Sequence, residues 1–368
     1  MKNALSRLAL RGFKTFQDPP PFVPRALNVL IGANGSGKSN FISFFRLMSW
    51  LVAGNLQRHV GEVGAHRLLH DGPQRTTEIE AELVFETERG RNDYAFRLGY
   101  GAGDTLFFTD ERFRFHDRER DTEAPWTILG AGHRETGLTE LADQGHVTAR
   151  AIRSLLSRCV VHQFHNTSST SRMRQKWRKS DGRYLKEDAG NLAPFLLRLK
   201  EEKPLAYAKI LAIVRQIVPF FDDFELDSSN GDLLLGWREI GSDVVFDAAQ
   251  ASDGTLRTFA LVALLGQPEE DLANILLLDE PELGLHPHAI ALIAGLIRSA
   301  SASAQILVAT QSAVLVDQLQ PEDVVVVERR GRTSSLERLD PGSLTEWLEE
   351  YSLGELWQKN LFGGRPRR

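Results

Sequence analysis

Residues 28–52 read NVLIGANGSGKSNFISFFRLMSWLV, and this stretch decides the fold. An apolar run ends in a glycine loop, and an apolar helical pattern follows, so the order is buried strand, loop, helix. Gly32, Ala33, Asn34, Gly35, Ser36, Gly37, Lys38 and Ser39 match G-x-x-x-x-G-K-[ST] in full, with Asn40 next. The glycines let successive backbone N–H groups wrap phosphates, Lys38 reaches the β- and γ-phosphates, and the Ser39 hydroxyl offers an oxygen to Mg²⁺. A strand before the loop and a helix after it are the context this motif requires.

A second apolar strand, ILLLDE at 275–280, ends in two carboxylates. Emerging at the C-terminal edge of a parallel sheet, Asp279 can hold Mg²⁺, and Glu280 can orient and polarise the attacking water. Phosphoryl transfer needs positioning and charge neutralisation more than covalent chemistry, and these residue types supply both.

The rest of the chain frames these motifs. Its 368 residues suit two or three average domains or one large α/β domain with an insertion, and its composition (42% apolar, 25% charged) is that of an ordinary globular protein. A single cysteine, Cys159, excludes an intramolecular disulfide and a thiolate metal cluster. The His residues 116, 162, 165, 286 and 288 show no metal-ligand spacing. With no long apolar run and no leader pattern, the expected location is cytoplasmic, with no membrane partner. Net charge is −5, so the molecule as a whole is not a nucleic-acid-binding polycation. One stretch stands apart. From Arg172 to Lys186, RMRQKWRKSDGRYLK sets seven basic residues around Trp177, and the tail GGRPRR is basic too.

Hydropathy patterning gives an N-terminal strand, LSRLALRGF, then antiparallel strands over 77–118 with RGRND and GAGD as turns. A short strand at 159–164 and two amphipathic helices over about 190–219 follow. The C-terminal third alternates strand and helix and closes on the strand pair EDVVVVERR and SSLERLD. Such alternation indicates a parallel sheet covered on both faces.

Between the two motifs of the phosphate site lies ASDGTLRTFALV at 251–262. Locally it is a helix start with Ser252 or Asp253 as the N-cap, and an open helix N-terminus is an anion site. Together, the GxNGSGKSN loop, the Ser-x-Gly of 252–254 and DEPE-x-G-LHP resemble ABC-type ATPases of the SMC/RecF class. The likeness covers essentially the full length. Most similar is a group of short stand-alone bacterial ATPases (AAA family) that share the ending from Trp347 to Pro366.

That resemblance implies a P-loop NTPase of α/β class, an ABC-type head with an antiparallel β-subdomain and a helical subdomain. The expected division is an N-terminal lobe (1–165), a helical and basic part (166–240) and a C-terminal lobe (241–368). It further implies ATP and Mg²⁺ as cofactors, Mg-dependent ATP hydrolysis, and an ATP-dependent homodimer. In that dimer Ser252 and Gly254 of one copy would cap the γ-phosphate held by the other, with the helix dipole adding favourable charge. SMC proteins insert hundreds of coiled-coil residues between P-loop and signature. Only residues 40–251 do so here, which excludes a long DNA-tethering arm.

Several positions fit this pattern loosely. Gln311, in ATQS, stands where the superfamily usually places a switch histidine, and an amide cannot become cationic. His286 sits where a motif linking the two subunits would lie, or simply caps the helix starting at Pro287. Gln163 is the best candidate for the Mg²⁺-touching Gln, with His165 close behind. Lys14 and Phe16, in GFKTF, resemble a segment that approaches the nucleotide, or form a plain edge strand. The basic stretch 172–186 either binds a nucleic-acid backbone, with Trp177 stacking on a base, or is a solvated loop or partner-docking surface. Two roles follow: a DNA-linked ATPase acting in repair, chromosome maintenance or phage defence, and a nucleotide-gated regulator of a protein effector. A transport ATPase is the poorest reading, because the signature departs from LSGGQ.

Overall fold

In the computed structural model, residues 3–227 and 231–364 are described. Ten strands and six helices position the site. The strands are β1 (Asn3–Arg11), β2 (Leu27–Ile31), β3 (Glu78–Thr87), β4 (Gly90–Gly101), β5 (Thr105–Asp117), β6 (Cys159–His162), β7 (Ile275–Asp279), β8 (Gln305–Ala309), β9 (Val324–Arg330) and β10 (Thr333–Arg338). The helices are α1 (Lys38–Val52), α2 (Leu192–Glu202), α3 (Pro204–Ile217), α4 (Asp253–Gly266), α5 (Pro287–Ala300) and α6 (Leu353–Gln358).

The central sheet has the order β10-β9-β2-β8-β7-β6. All neighbours pair in parallel except β10, which returns antiparallel along β9. Its strands read as continuous apolar runs because both faces are covered. Leu276, Leu278, Ile306, Val308, Val324 and Val326 point into one core with α2 to α5. Ile275, Leu277, Leu307, Ala309, Val325 and Val327 point into the other, with α1 and the antiparallel sheet. The expected parallel sheet, covered on both sides, is the one observed.

The second sheet runs β1-β3-β4-β5 and is extended by short pieces at Thr122–Glu123 and Thr127–Gly130. Its inner face carries Leu83, Phe85, Tyr94, Phe96, Phe108 and Phe113 into the α1 core. The turn expected at RGRND is tighter than its sequence suggests, because β4 already starts at Gly90. Asn92 and Asp93 are buried in the ladder, and Asp93 is neutralised by Arg91 at 3.0 Å and Arg114 at 2.7 Å. That pairing lets a turn-type residue serve as strand.

Helices α2 and α3 form as expected. A three-stranded sheet at Phe221–Glu225, Gly236–Glu239 and Val245–Asp247 follows them and has no counterpart among the sequence expectations. Phe221, Phe224 and Trp237 from this sheet cluster on Phe259 of α4. Thus the helix that starts at the signature is held by aromatics around Phe259, in its second turn. No helix among the described residues is long and apolar enough to cross a membrane.

Candidate functional site

The loop between β2 and α1 is a preformed cradle, held from three directions. Gly37 caps α1 with φ +118°, a conformation that strains any side chain. A Cβ there would lie 2.5 Å from Ser334 Oγ and 2.9 Å from Thr15 Oγ1. Ser334, on β10, donates its hydroxyl to Ser36 O at 2.6 Å and its backbone N–H to Thr15 O at 2.7 Å. Asn40 adds a hydrogen bond to Thr15 Oγ1 at 3.2 Å. Inside the loop, Lys38 Nζ donates to Gly32 O at 2.6 Å and Ala33 O at 3.1 Å. Burial lowers the Lys38 pKa, and the charges of Glu280, Asp279 and Glu282 pull it back up. Asn34, Gly35 and Ser39 are exposed, whereas Ser36 Oγ is buried with no hydrogen-bond partner among the described residues.

At the end of β7, Asp279 is buried, and burial raises its pKa against the pull of His165, Arg46 and Lys38. Glu280 follows with φ +48°, a left-handed backbone unusual for a non-glycine residue, and its N–H donates to Ala309 O at 2.8 Å. Such strain persists only where surrounding contacts enforce it, and it clusters at functional sites. Gln311, just past β8, hydrogen-bonds the Glu280 carboxylate through its side-chain amide. Its backbone N–H goes to Glu282 Oε1 at 3.1 Å, which also accepts from Thr310 Oγ1 at 2.6 Å. Burial raises the pKa of Glu282.

The structure brings Gln163 to the same place. Its Nε2 donates to Asp279 Oδ2 at 3.1 Å and to His165 Nδ1 at 2.9 Å, while Oε1 accepts from Arg46. His165 then donates its Nε2–H to Asp279 O at 3.0 Å. Ser39, Asp279 and Gln163 carry hydroxyl, carboxylate and amide oxygens, ligand types suited to Mg²⁺, although the Gln163 oxygen is turned to Arg46 here. Among the described residues no cluster of three or more His, Cys, Asp or Glu could hold a metal, so a cation site here depends on that mixed oxygen set.

Lys14 and Phe16 part company. Lys14, at φ +48°, sends Nζ to Ser43 Oγ on α1 at 2.7 Å, alongside the helix that begins at the cradle. Burial and the charge of Arg46 lower its pKa. Phe16 is wholly buried against Phe41, so it is a core residue with no free face for a base.

The signature end is built differently. Ser252 is the N-cap of α4, with Oγ accepting from Thr255 N at 3.1 Å and contacting Thr255 Oγ1 at 2.8 Å. Both Ser252 and Asp253 are exposed. Gly254 packs so closely on the loop after β7 that a Cβ would meet Gly284 O at 2.7 Å. Arg257, one turn on, donates to Phe164 O, His165 O and Leu283 O at 3.0, 3.0 and 2.9 Å. His286 caps α5, accepting from His288 N at 3.3 Å.

The basic stretch is largely occupied. Arg174 is nearly buried and donates to Thr167 O, Ala248 O and Ala251 O, with Asp253 at 3.3 Å, so it braces the signature loop. Arg172 at 4.5 Å and Lys186 at 4.3 Å both lie over the Trp177 ring, which donates Nε1–H to Arg172 O. The ring is thus already engaged by two cations of its own chain. Lys179 pairs with Glu201. Lys176, Arg178 and Arg183 remain exposed. Of the basic tail, residues 365–368 lie outside the described residues.

Sequence reasoning missed Arg46, Glu282, Thr15 and Ser334. Arg46 had a signal, as a lone cation inside the apolar run FISFFRLMSW. Ser334 and Thr15 had none, because only the fold brings them to the loop.

Comparison with known proteins bears on the fold and the family. Two solved structures share the fold. One is an SmcHead bound to the C-winged helix domain of ScpA (TM-score 0.60, 16% identity, 93% of this chain and 99% of that one). The other is an Smc head domain with an extended coiled coil, bound to the C-terminal domain of ScpA derived from Pyrococcus furiosus (0.60, 17%, 95% and 99%). Two curated proteins match over short segments. Urease accessory protein 2 of Cryptococcus neoformans is 36% identical over 92 residues, and chromosome segregation protein sudA of Emericella nidulans is 32% identical over 91. Each match covers 24% of this chain and 7% of the relative. Over residues 27–317 the sequence matches the family described as "AAA domain, putative AbiEii toxin, Type IV TA system", and the chain belongs to that family of P-loop ATPases, with the fold of an SMC head.

Proposed function

We propose that this chain binds ATP with Mg²⁺, hydrolyses it, and works as a dimer that closes around two nucleotides. The observation that carries the reading is the convergence of Lys38, Asp279, Glu280, Gln163 and Gln311 at the N-terminus of α1. Ser252, in contrast, meets only its own helix. In this reading the chain is one head, with lobes 1–165 and 241–368 and a helical, basic part at 166–240. Lys38 and the loop amides of residues 32–40 hold the phosphates, with Lys14 nearby. Glu280 takes a proton from the attacking water, and Gln311 orients it. Ser39, Asp279 and Gln163 would hold Mg²⁺, which neutralises charge on the transferred phosphoryl group. Ser252 and Gly254 act in trans. ATP favours closure only because it touches both copies.

The test uses Glu280→Gln protein with ATP. A closed dimer should accumulate by light scattering, and adding Ser252→Arg should abolish it. Dimerisation that survives the second substitution removes the trans role.

For the cellular role we propose a DNA-linked process in repair, chromosome maintenance or phage defence, the last in keeping with the family's toxin–antitoxin description. The second reading is a nucleotide-gated regulator of a protein effector. The internal use of Arg174 and Trp177 favours it, and both Smc heads above are bound to a domain of another protein. Charge reversal of Lys176, Arg178 and Arg183 separates the two. Salt-sensitive DNA binding lost in that variant supports the first, and absence of DNA binding in the wild type supports the second.

A further inference from the structure

The Gln163 carboxamide is turned the wrong way round for a metal ligand, and Arg46 is the reason. A guanidinium only donates and a carboxylate only accepts, so the two neighbours fix the amide without ambiguity. Its oxygen faces Arg46 and its nitrogen faces Asp279 Oδ2 and His165 Nδ1. His165, forced to accept at Nδ1, carries its hydrogen on Nε2 and hands it to Asp279 O at 3.0 Å. Three neighbours thus lock one amide orientation.

For Gln163 to offer its oxygen to a cation beside Asp279, the carboxamide must turn over. That breaks the contact with Arg46 and leaves an NH₂ group facing a guanidinium. We propose that Arg46 is a latch, a positioning residue that competes with Mg²⁺ for Gln163 Oε1 and keeps the site in its resting form until nucleotide and metal arrive together. The charge of Arg46 already acts on the Glu187 carboxylate, and Gln163 N donates to Glu187 O at 2.9 Å, so both residues flank one strand end. Besides burial, the Arg46 charge also lowers the pKa of Lys14, whose Nζ bonds Ser43 on the same helix.

This inference rests on the reading of Asp279 and Gln163 as metal-facing residues. The experiment measures ADP binding to the full chain by calorimetry over a series of Mg²⁺ concentrations, without turnover. In Arg46→Met the half-saturating Mg²⁺ should fall about tenfold, the worth of one charge-assisted hydrogen bond. In a Gln163→Ala background the same substitution should shift it less than about twofold, since the competitor is already gone. Equal shifts in both backgrounds would show Arg46 acting as a bare positive charge, and a rise in required Mg²⁺ would show it supporting the metal; either overturns the latch. If Arg46→Met fails to fold, Arg46→Lys carries the same comparison, with a shift in the same direction expected from its shorter reach. Wild-type ADP binding indifferent to Mg²⁺ would overturn the metal reading itself.

Discussion

Two helices in this chain start with an N-terminus shaped for an anion, and they are finished to different degrees. At α1 the glycine loop, Lys38, Ser334 and Thr15 enclose the helix end, and the groups that would meet a phosphate converge from β7, β8 and the segment after β6. At α4, Phe259 is packed by aromatics and Arg257 is tied to neighbouring carbonyls, yet Ser252 and Asp253 at its start are exposed and the cap bonds Thr255. Rigid support under an open, unfinished end is what a surface offered to another molecule requires, because preorganised donors lose little freedom on contact. In the proposed dimer, α1 would make a site and α4 of the other copy would complete it.

The largest expected effect tests that division of labour. Lys38→Ala should lower ATP turnover about 10³-fold, the scale of removing a principal electrostatic group from a transition state. Ser252→Arg should also inactivate, although its own P-loop is intact. Mixed in equal amounts, the two variants should recover about a quarter of wild-type turnover, because half the dimers carry one intact site of two. A mixture as inactive as its components would place Ser252 in its own chain's site and erase the contrast between the two helix ends.

Between the two ends runs β6, whose last residue, His162, is fully buried next to Gln163. Burial pushes its pKa down to about 4 from 6.5, against smaller opposing effects of Lys186 and Asp188. The unfolded chain binds the proton first, so folding stability is complete above pH 6.5 and falls as pH drops toward 4. The loss is about 3 kcal/mol for this group. Urea unfolding across that window should show it, and His162→Leu should flatten the profile there. An unchanged profile would mean that His162 titrates like a solvated imidazole, and that the strand between the two sites is looser than it looks.

A smaller effect separates support from surface within the basic stretch. Arg174→Ala should cost about 2 kcal/mol, the range for charged hydrogen bonds lost to partly buried acceptors. Lys176→Ala and Arg178→Ala should each stay within about 0.5 kcal/mol, as solvated positions do. Chemical denaturation of the three variants makes the check. A cost for Arg174 no larger than for its neighbours would remove the brace under the signature loop.

The contrast also explains what could be read without coordinates. Continuous apolar strands buried on both faces, such as ILLLD and QILVA, carry their own signal, as does the glycine loop, whose spacing is a direct imprint of backbone geometry. The position of Gln163 beside Asp279 could be anticipated because it directly follows a strand of the same sheet. The basic stretch stayed ambiguous because composition reports charge and not partners. Arg172 and Lys186 hold Trp177 through contacts that close only when residues 172–190 fold back on themselves, and Arg174 depends on Ala248 and Ala251 far along the chain. Ser334 and Thr15 are the extreme case, since their roles arise wholly from the pairing of β10 beside the loop.

The smallest effect on stability is the sharpest probe of the signature end. Ser252 caps α4 and is proposed to face a phosphate on another copy, and alanine would weaken both at once. Aspartate distinguishes them, because it is as good an N-cap as serine and its charge suits the helix dipole. Ser252→Asp should therefore leave the unfolding free energy within about 0.5 kcal/mol of wild type. The same carboxylate, presented to a γ-phosphate held by a second copy, sets like charge against like charge. ATP-dependent dimerisation of the Glu280→Gln protein should then disappear, in a chain as stable as before. Retained dimerisation would confine Ser252 to the local work of starting a helix. Its loss at unchanged stability would mean that one hydroxyl serves its own backbone and another molecule's nucleotide.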